Sequence, residues 1–273
     1  MSFQPVVPLA GYGGWTFLQR SLPAQQAAFR ESPAVQRETA YFRDQIPQVN
    51  GAEDLVEDRR LLGVALGAYG LGDDIDNRFF LQRILADGTR DPEALSNKLS
   101  DKRYRSLSAA FGLGPGDVSL TQVSRFADDI VARYEAEQFA IRVGEVAPDL
   151  RLALNVQPAL DDIMSETRTD TGRWFTILGN APLRQVFERA FGLPAGIGRI
   201  DLDQQLAVFQ DRAQRLFDAA DPADFTRPET QEKLIRLFLV RSEAAAAANS
   251  AGASVALTLL QAAPVNLAPP ILP

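Results

Sequence analysis

Ala68-Tyr69-Gly70-Leu71, Ala110-Phe111-Gly112-Leu113 and Ala190-Phe191-Gly192-Leu193 are one word written three times in the same chain. Each copy stands where a helical pattern of apolar residues runs out. Glycine there can take the left-handed backbone conformation that ends a helix, because it has no Cβ to clash. The leucine that follows is then placed to pack back on the last turn, and the aromatic before the glycine points to the core. The word reads as a helix stop with a hydrophobic clasp. A phosphate loop needs its glycines ahead of a helix N-terminus, where free N–H groups face the anion. Here the glycines follow the helix. Gly112-Leu113-Gly114-Pro115-Gly116 has no Lys-Ser/Thr pair behind it, and Gly11-Tyr12-Gly13-Gly14 follows no strand pattern, so both are expected as turns.

Working outward from the word, helix signals fill the chain. Ser32-Pro33 reads as an N-cap and first helical residue, with Val35, Thr39, Phe42 and Ile46 on one face and Pro47 as the stop. A helix is expected over about 52–69, and another from Asp73-Asp74, carrying Phe80, Leu81 and Ile84 inward and stopping at Gly88. Asp91-Pro92 and Asp101 open two more. Ser119-Leu120-Thr121-Gln122 and Asp201-Leu202-Asp203-Gln204 match capping boxes. The first precedes the face Val123, Phe126, Ile130, Tyr134, and the second the face Leu206, Phe209, Ala213, Leu216. Pro158 predicts a break or kink inside 150–164. A short helix is expected around Trp174–Leu178, one from Pro182 to Gly192, and one from Pro228 into the run Ala244–Ala248. Alternating strand patterns are nearly absent.

The expected fold is therefore all-α, a multi-helix globular bundle. The word starts at residues 68, 110 and 190, close to one and two units of about 40 residues. Its second and third copies are each followed by a Gly/Pro turn, a capping box and a long amphipathic helix, so an internal helix–cap–helix duplication is part of the expectation. Residues 1–14 read as a flexible or partner-ordered segment. Residues 15–241 read as a single domain, divisible into sub-bundles 15–116 and 117–241. Residues 242–273 read as an Ala/Ser-rich tail with a short apolar helix.

Composition removes whole classes of chemistry. The 273 residues include no cysteine and no histidine. Disulfides, thiolate or imidazole metal sites and the Ser-His-Asp and Cys-His arrangements are thereby excluded. The net charge of −7 and pI near 4.8 argue against a nucleic-acid partner. No run approaches the roughly 18 apolar residues of a membrane span. The start MSFQPVVPLAGYGGW lacks a basic region and a long apolar core, so no cleaved signal peptide is expected.

Carboxylates remain as candidate chemistry. Asp73, Asp74 and Asp76 do not complete a calcium loop and suit a helix N-terminus. Asp128-Asp129 and Asp161-Asp162 are helical neighbours that point about 100° apart, which is no shared-proton dyad. No catalytic residue, metal ligand or cofactor is assigned. The ends are more suggestive. Phe3, Tyr12, Trp15 and Phe17 at the start, and Val255, Leu257, Leu259 and Leu260 near the end, are apolar residues placed to meet a partner or to fold back on the chain.

The stretches GWTFLQRSLPAQQAAF, SPAVQRETAYFRDQI, LLGVALGAYGL, DPEALSNKLSDKRYRSLSAAFG, LGNAPLRQVFERAFGLP and IDLDQQLAVF resemble a bacterial family of uncharacterised domain proteins. That family is mostly alphaproteobacterial and is often encoded among flagellar genes. The resemblance spans roughly Gly14 to Gln261. It brings no catalytic residues and implies a part in flagellar structure, assembly or regulation. SVALTLLQ is in addition similar to the short apolar helix that ends flagellins and related axial proteins. The expectation is a non-enzymatic flagellum-associated protein that meets other flagellar proteins, or further copies of itself, through helical faces. It would be made in the cytoplasm and exported without a cleaved signal. The alternatives are a cytoplasmic adaptor or export chaperone, and a carboxylate- or metal-dependent hydrolase, which the absence of histidine disfavours.

Overall fold

The computed structural model describes residues 3–194 and 196–262, and the side chains of these except Glu166 and 249–262. Among the described residues every regular element is helical. The helices are α1 (Gly11–Arg30), α2 (Pro33–Gln45), α3 (Ala52–Glu57), α4 (Arg59–Ala68), α5 (Arg78–Asp87), α6 (Leu95–Lys98), α7 (Arg103–Phe111), α8 (Phe126–Val146), α9 (Pro148–Leu154), α10 (Val156–Glu166), α11 (Asp170–Gly179), α12 (Ala181–Phe191), α13 (Leu202–Phe217) and α14 (Pro228–Ala262), with short 3₁₀ turns between them.

The repeated word ends α4, α7 and α12, and its glycines take φ of +66°, +59° and +67°. The first and third copies are Schellman caps. Leu71 N–H donates to Leu66 O and Leu193 N–H to Glu188 O, both at 2.9 Å. The second closes differently: Gly112 N–H reaches Ser108 O at 3.1 Å, and the free Phe111 carbonyl accepts from Leu120 N–H at 3.2 Å. Tyr69, Phe111 and Phe191 are all buried.

Several expected helix starts move. The run 52–69 breaks at Asp58, whose extended backbone separates α3 from α4 and whose carboxylate accepts from Arg60 N–H and Leu61 N–H to cap α4. Asp73-Asp74 lie in a 3₁₀ turn, and α5 begins only at Arg78. Asp91 accepts from Glu93 N–H in a turn, and the short helix waits until Leu95. The box at 119–122 does not form. Thr121 Oγ1 donates instead to the buried Val49 carbonyl at 2.8 Å, Val123 is exposed, and α8 starts at Phe126. The break in 150–164 falls at Asn155, and Pro158 sits in the first turn of α10, where its missing N–H costs nothing. Asp201 precedes α13 without a side-chain cap.

Buried apolar residues form two clusters, which do not follow the 15–116 and 117–241 division. The smaller runs from Phe42 to Val131. The larger joins Trp15–Val35 to Phe139–Leu239. The chain starts in the larger cluster, leaves along α2, and returns along α8. Both of these helices serve both clusters: Val35 against Phe42 on α2, and Phe126, Ile130 and Val131 against Phe139 and Val143 on α8. The centre of the larger cluster is aromatic. Trp174 stands edge-on to Phe187, Phe209 and Phe225 at 6.0, 6.4 and 6.2 Å, and Phe191 and Phe217 extend the set. Each such fully buried ring contributes about 2–3 kcal/mol of transfer free energy.

Candidate functional site

Tyr12 and Trp15 lie one turn apart on α1 and face α14. The Tyr12 hydroxyl donates to Glu232 Oε1 at 3.0 Å and the Trp15 indole N–H to Glu232 Oε2 at 3.2 Å. The hydrogen bond to Glu232, helped by burial, pushes the Tyr12 phenol above its ordinary value. Phe3 packs on Phe29 and Phe139 at 5.4 and 5.9 Å. Behind it Gln25 brackets Val6, accepting its N–H at 2.8 Å and donating to its carbonyl at 3.0 Å. Residues 3–10 are thus held by the chain's own core, and Phe3, Tyr12 and Trp15 make contacts within the molecule. Phe17 is exposed, as are Val6 and Leu9. Val255, Leu257, Leu259 and Leu260 lie on the helical backbone of α14, with side chains outside the described residues. No break separates 242 from what precedes it: the tail begins as a continuation of α14.

Between the two clusters lies a cleft of about 1030 Å³. One wall is a face of α1 formed by Trp15, Gln19, Leu22 and Gln26, spaced to share one side of a helix. Opposite stand Arg133 and Glu137 of α8, the end of α4, and parts of α9, α10 and α14. Arg133 is the keystone. Its Nε donates to Ala68 O at 2.9 Å, its Nη1 to Asp162 Oδ1 at 2.7 Å, and its Nη2 to the other oxygen of the same carboxylate. Its guanidinium also lies over the Tyr69 ring at 4.2 Å. One side chain therefore ties α4, in the smaller cluster, to α10, in the larger. Beside it Arg103 Nη1 donates to Gly70 O at 2.5 Å, and Gln138 Nε2 reaches Gly67 O at 3.4 Å. At the end of α4 the Ala68 and Gly70 carbonyls are thus met by guanidinium cations, the charge that a helix C-terminus favours, and the Gly67 carbonyl by a neutral amide. The third copy of the word repeats this, with the Arg241 guanidinium donating to Ala190 O. Sequence reasoning found the glycine stops and missed these three arginines, which lie 33, 51 and 65 residues away along the chain.

Four cations and four carboxylates line the cleft. Glu137 accepts from Arg151 and Asn155, both at 3.4 Å, Asp162 from Arg133, and Glu232 from Tyr12 and Trp15. Lys102 donates to Asn97 O and Leu99 O. Burial, then the nearby charge of Arg105, holds its amine below the usual lysine value. These groups brace helix ends. The acid clusters of the sequence are engaged likewise: Asp74 accepts from Tyr104 at 2.6 Å, Asp76 from Arg59 at 2.7 Å and Asp128 from Arg43 at 2.8 Å. The close carboxylate pair is one that the sequence concealed, Asp170 and Asp221. Hydrogen bonding to Asp221, then its charge, pushes Asp170 up, and Arg173 is 2.9 Å from Asp221 and 3.8 Å from Asp170. Neither residue of the pair lines the cleft. Among the described residues no three carboxylates gather into a metal-sized cluster, and no helix is long and apolar enough to cross a membrane.

Fold and cleft together define an all-helical protein whose charged groups bind helix to helix. The chain belongs to the uncharacterised family described as Protein of unknown function (DUF1217), whose model matches residues 68–233. The fold is similar to that of protein AGR_C_984 from Agrobacterium tumefaciens, solved by X-ray crystallography. The TM-score is 0.70 at 24% identity, over 88% of this chain and 98% of that one. None of the curated proteins compared with the chain matches it.

Proposed function

We propose that the protein is a non-enzymatic assembly component of the bacterial flagellum, which meets other flagellar proteins or further copies of itself through its terminal helix. The observation that carries this reading is α14. Its first half is core, with Leu234, Ile235, Phe238 and Leu239 buried. It then stays helical to Ala262, while Ala244–Ala248 are exposed and no charged residue occurs from 244 to 273. A long helix without charges gains little from water and much from a packed neighbour. The flagellar setting rests on the family resemblance in the sequence.

Fractionation tests it. The protein is expected in purified flagella and to vanish from them when the flagellar export ATPase is deleted. A chain ending at Ala248 should fold with its far-UV circular dichroism reduced only by the helix removed, residues 249–262, and fail to incorporate. Incorporation of that chain at the full level would refute the role given to α14. The cleft favours a second reading, an export adaptor, since a groove lined by Trp15 and several amide side chains suits a client segment. An adaptor stays in the cell and co-purifies with one dominant client.

A further inference from the structure

We infer that Arg241-Ser242-Glu243 is a latch on two helix ends, fixing the direction in which α14 leaves the body. Arg241 donates to Ala190 O at the C-terminal end of α12, and its guanidinium lies so close to Gly192 that a Cβ there would come within 3.0 Å of Nη1. Ser242, buried, accepts from Arg189 of the same helix at 3.1 Å. Glu243 turns the other way, to the first residue of α1. Gly11 has φ +55°, and a Cβ on it would fall 1.9 Å from the carboxyl carbon and Oε1 of Glu243. The carboxylate therefore fills the space that a side chain at 11 would need. α1 supplies no anion of its own at that end: Ala10 provides no side-chain cap and the first turn carries no acid.

The signs agree with the fields of both helices. A cation sits at a C-terminus and an anion at an N-terminus, each in the arrangement that lowers the energy of the helix dipole. The glycine run at 11–14, expected as a turn, is the opening of α1, and the chain supplies its own anion to it. Arg241 and Ser242 thus bond α14 to α12 on one side, and the Glu243 carboxylate lies against the first residue of α1 on the other. They are also the last polar anchors before the uncharged stretch. Glu232, three turns earlier, holds α14 to Tyr12 and Trp15 whether or not the latch is closed. Opening the latch frees the end of the helix and leaves its root in place. The inference concerns the free chain and stands apart from any partner.

The chain has no cysteine, so spin labels can be placed cleanly at Arg20→Cys on α1 and Ala245→Cys on α14, both exposed. Pulsed electron–electron resonance on the doubly labelled protein should give one narrow distance. Glu243→Gln removes the charge and keeps the shape, and should raise the population outside that peak about two- to fivefold, the size of a helix-end charge effect. Glu229→Gln, a charge removal at the far end of α14, should leave the distribution unchanged. Identical distributions in the parent and Glu243→Gln would overturn the latch, and so would equal broadening by Glu229→Gln. High salt should broaden the parent in the same direction as Glu243→Gln, and no response to salt would count against it.

Discussion

At Gly112 the left-handed backbone is only half of what glycine supplies. A Cβ there would fall 2.4 Å from the Val118 carbonyl oxygen, a backbone atom that cannot step aside, whereas at Gly192 the first obstacle is the movable end of Arg241. Gly112→Ala is therefore expected to cost about 2–4 kcal/mol, from left-handed strain plus overpacking, and Gly192→Ala about 1–2 kcal/mol. Urea unfolding of the two variants checks the order, and equal losses would contradict it. Asp58 is the other decisive single residue. Burial disfavours its charge, but hydrogen bonds from Tyr41, Leu61 N–H and Arg60 N–H, with the charge of Arg60, outweigh this and hold its carboxyl below the ordinary value. A depressed carboxylate stabilises the fold above its unfolded value of about 3.9, and that contribution is lost as pH falls through the lower folded value. Asp58→Ala should remove about 1 kcal/mol at neutral pH, as loss of an N-cap does. The gap to the parent should close in urea titrations carried below pH 4.

Helix ends set the legibility of the elements. The stops were readable because a glycine end is a local event, made by the residue itself and its next neighbour. Gly88, Gly112 and Gly192 end their helices as the pattern implies. The starts were less so, because a Ser, Thr or Asp has other acceptors and donors within reach. Thr121 gives its hydroxyl to Val49, 72 residues away, and no window of sequence contains that carbonyl. Asp58 interrupts a run whose apolar spacing continues on both sides, with Leu55 and Val56 before it and Leu62 and Leu66 after it all buried. Trp15 was legible as an anchor, whereas the cleft it lines needs α4, α8 and α10 brought together. The joint that does this can be measured. Arg133 and Asp162 are each about one third exposed, at 32% and 30%, so their pairing is partly screened. A double-mutant cycle with Arg133→Met and Asp162→Asn should return a coupling of about 1–2 kcal/mol, above that of a surface pair and below that of a buried one. A coupling near zero would remove Arg133 from its role between the clusters.

Over the whole molecule, the two clusters share α2 and α8, so neither can lose its packing without stripping a helix from the other. A single unfolding transition is expected. The protein carries its own test. Its two tryptophans, Trp15 and Trp174, both belong to the larger cluster, while far-UV circular dichroism follows all the helices. The fluorescence and dichroism curves in urea should coincide. A dichroism loss that precedes the fluorescence change would show that the smaller cluster melts alone. The aromatic centre has a further use. Methyl groups enclosed by Trp174 and the phenylalanines around it sit in strong ring currents, so their proton resonances should be displaced far upfield into an otherwise empty part of the spectrum. A one-dimensional spectrum of unlabelled material then reports, within minutes, whether any truncated or substituted version has kept its interior.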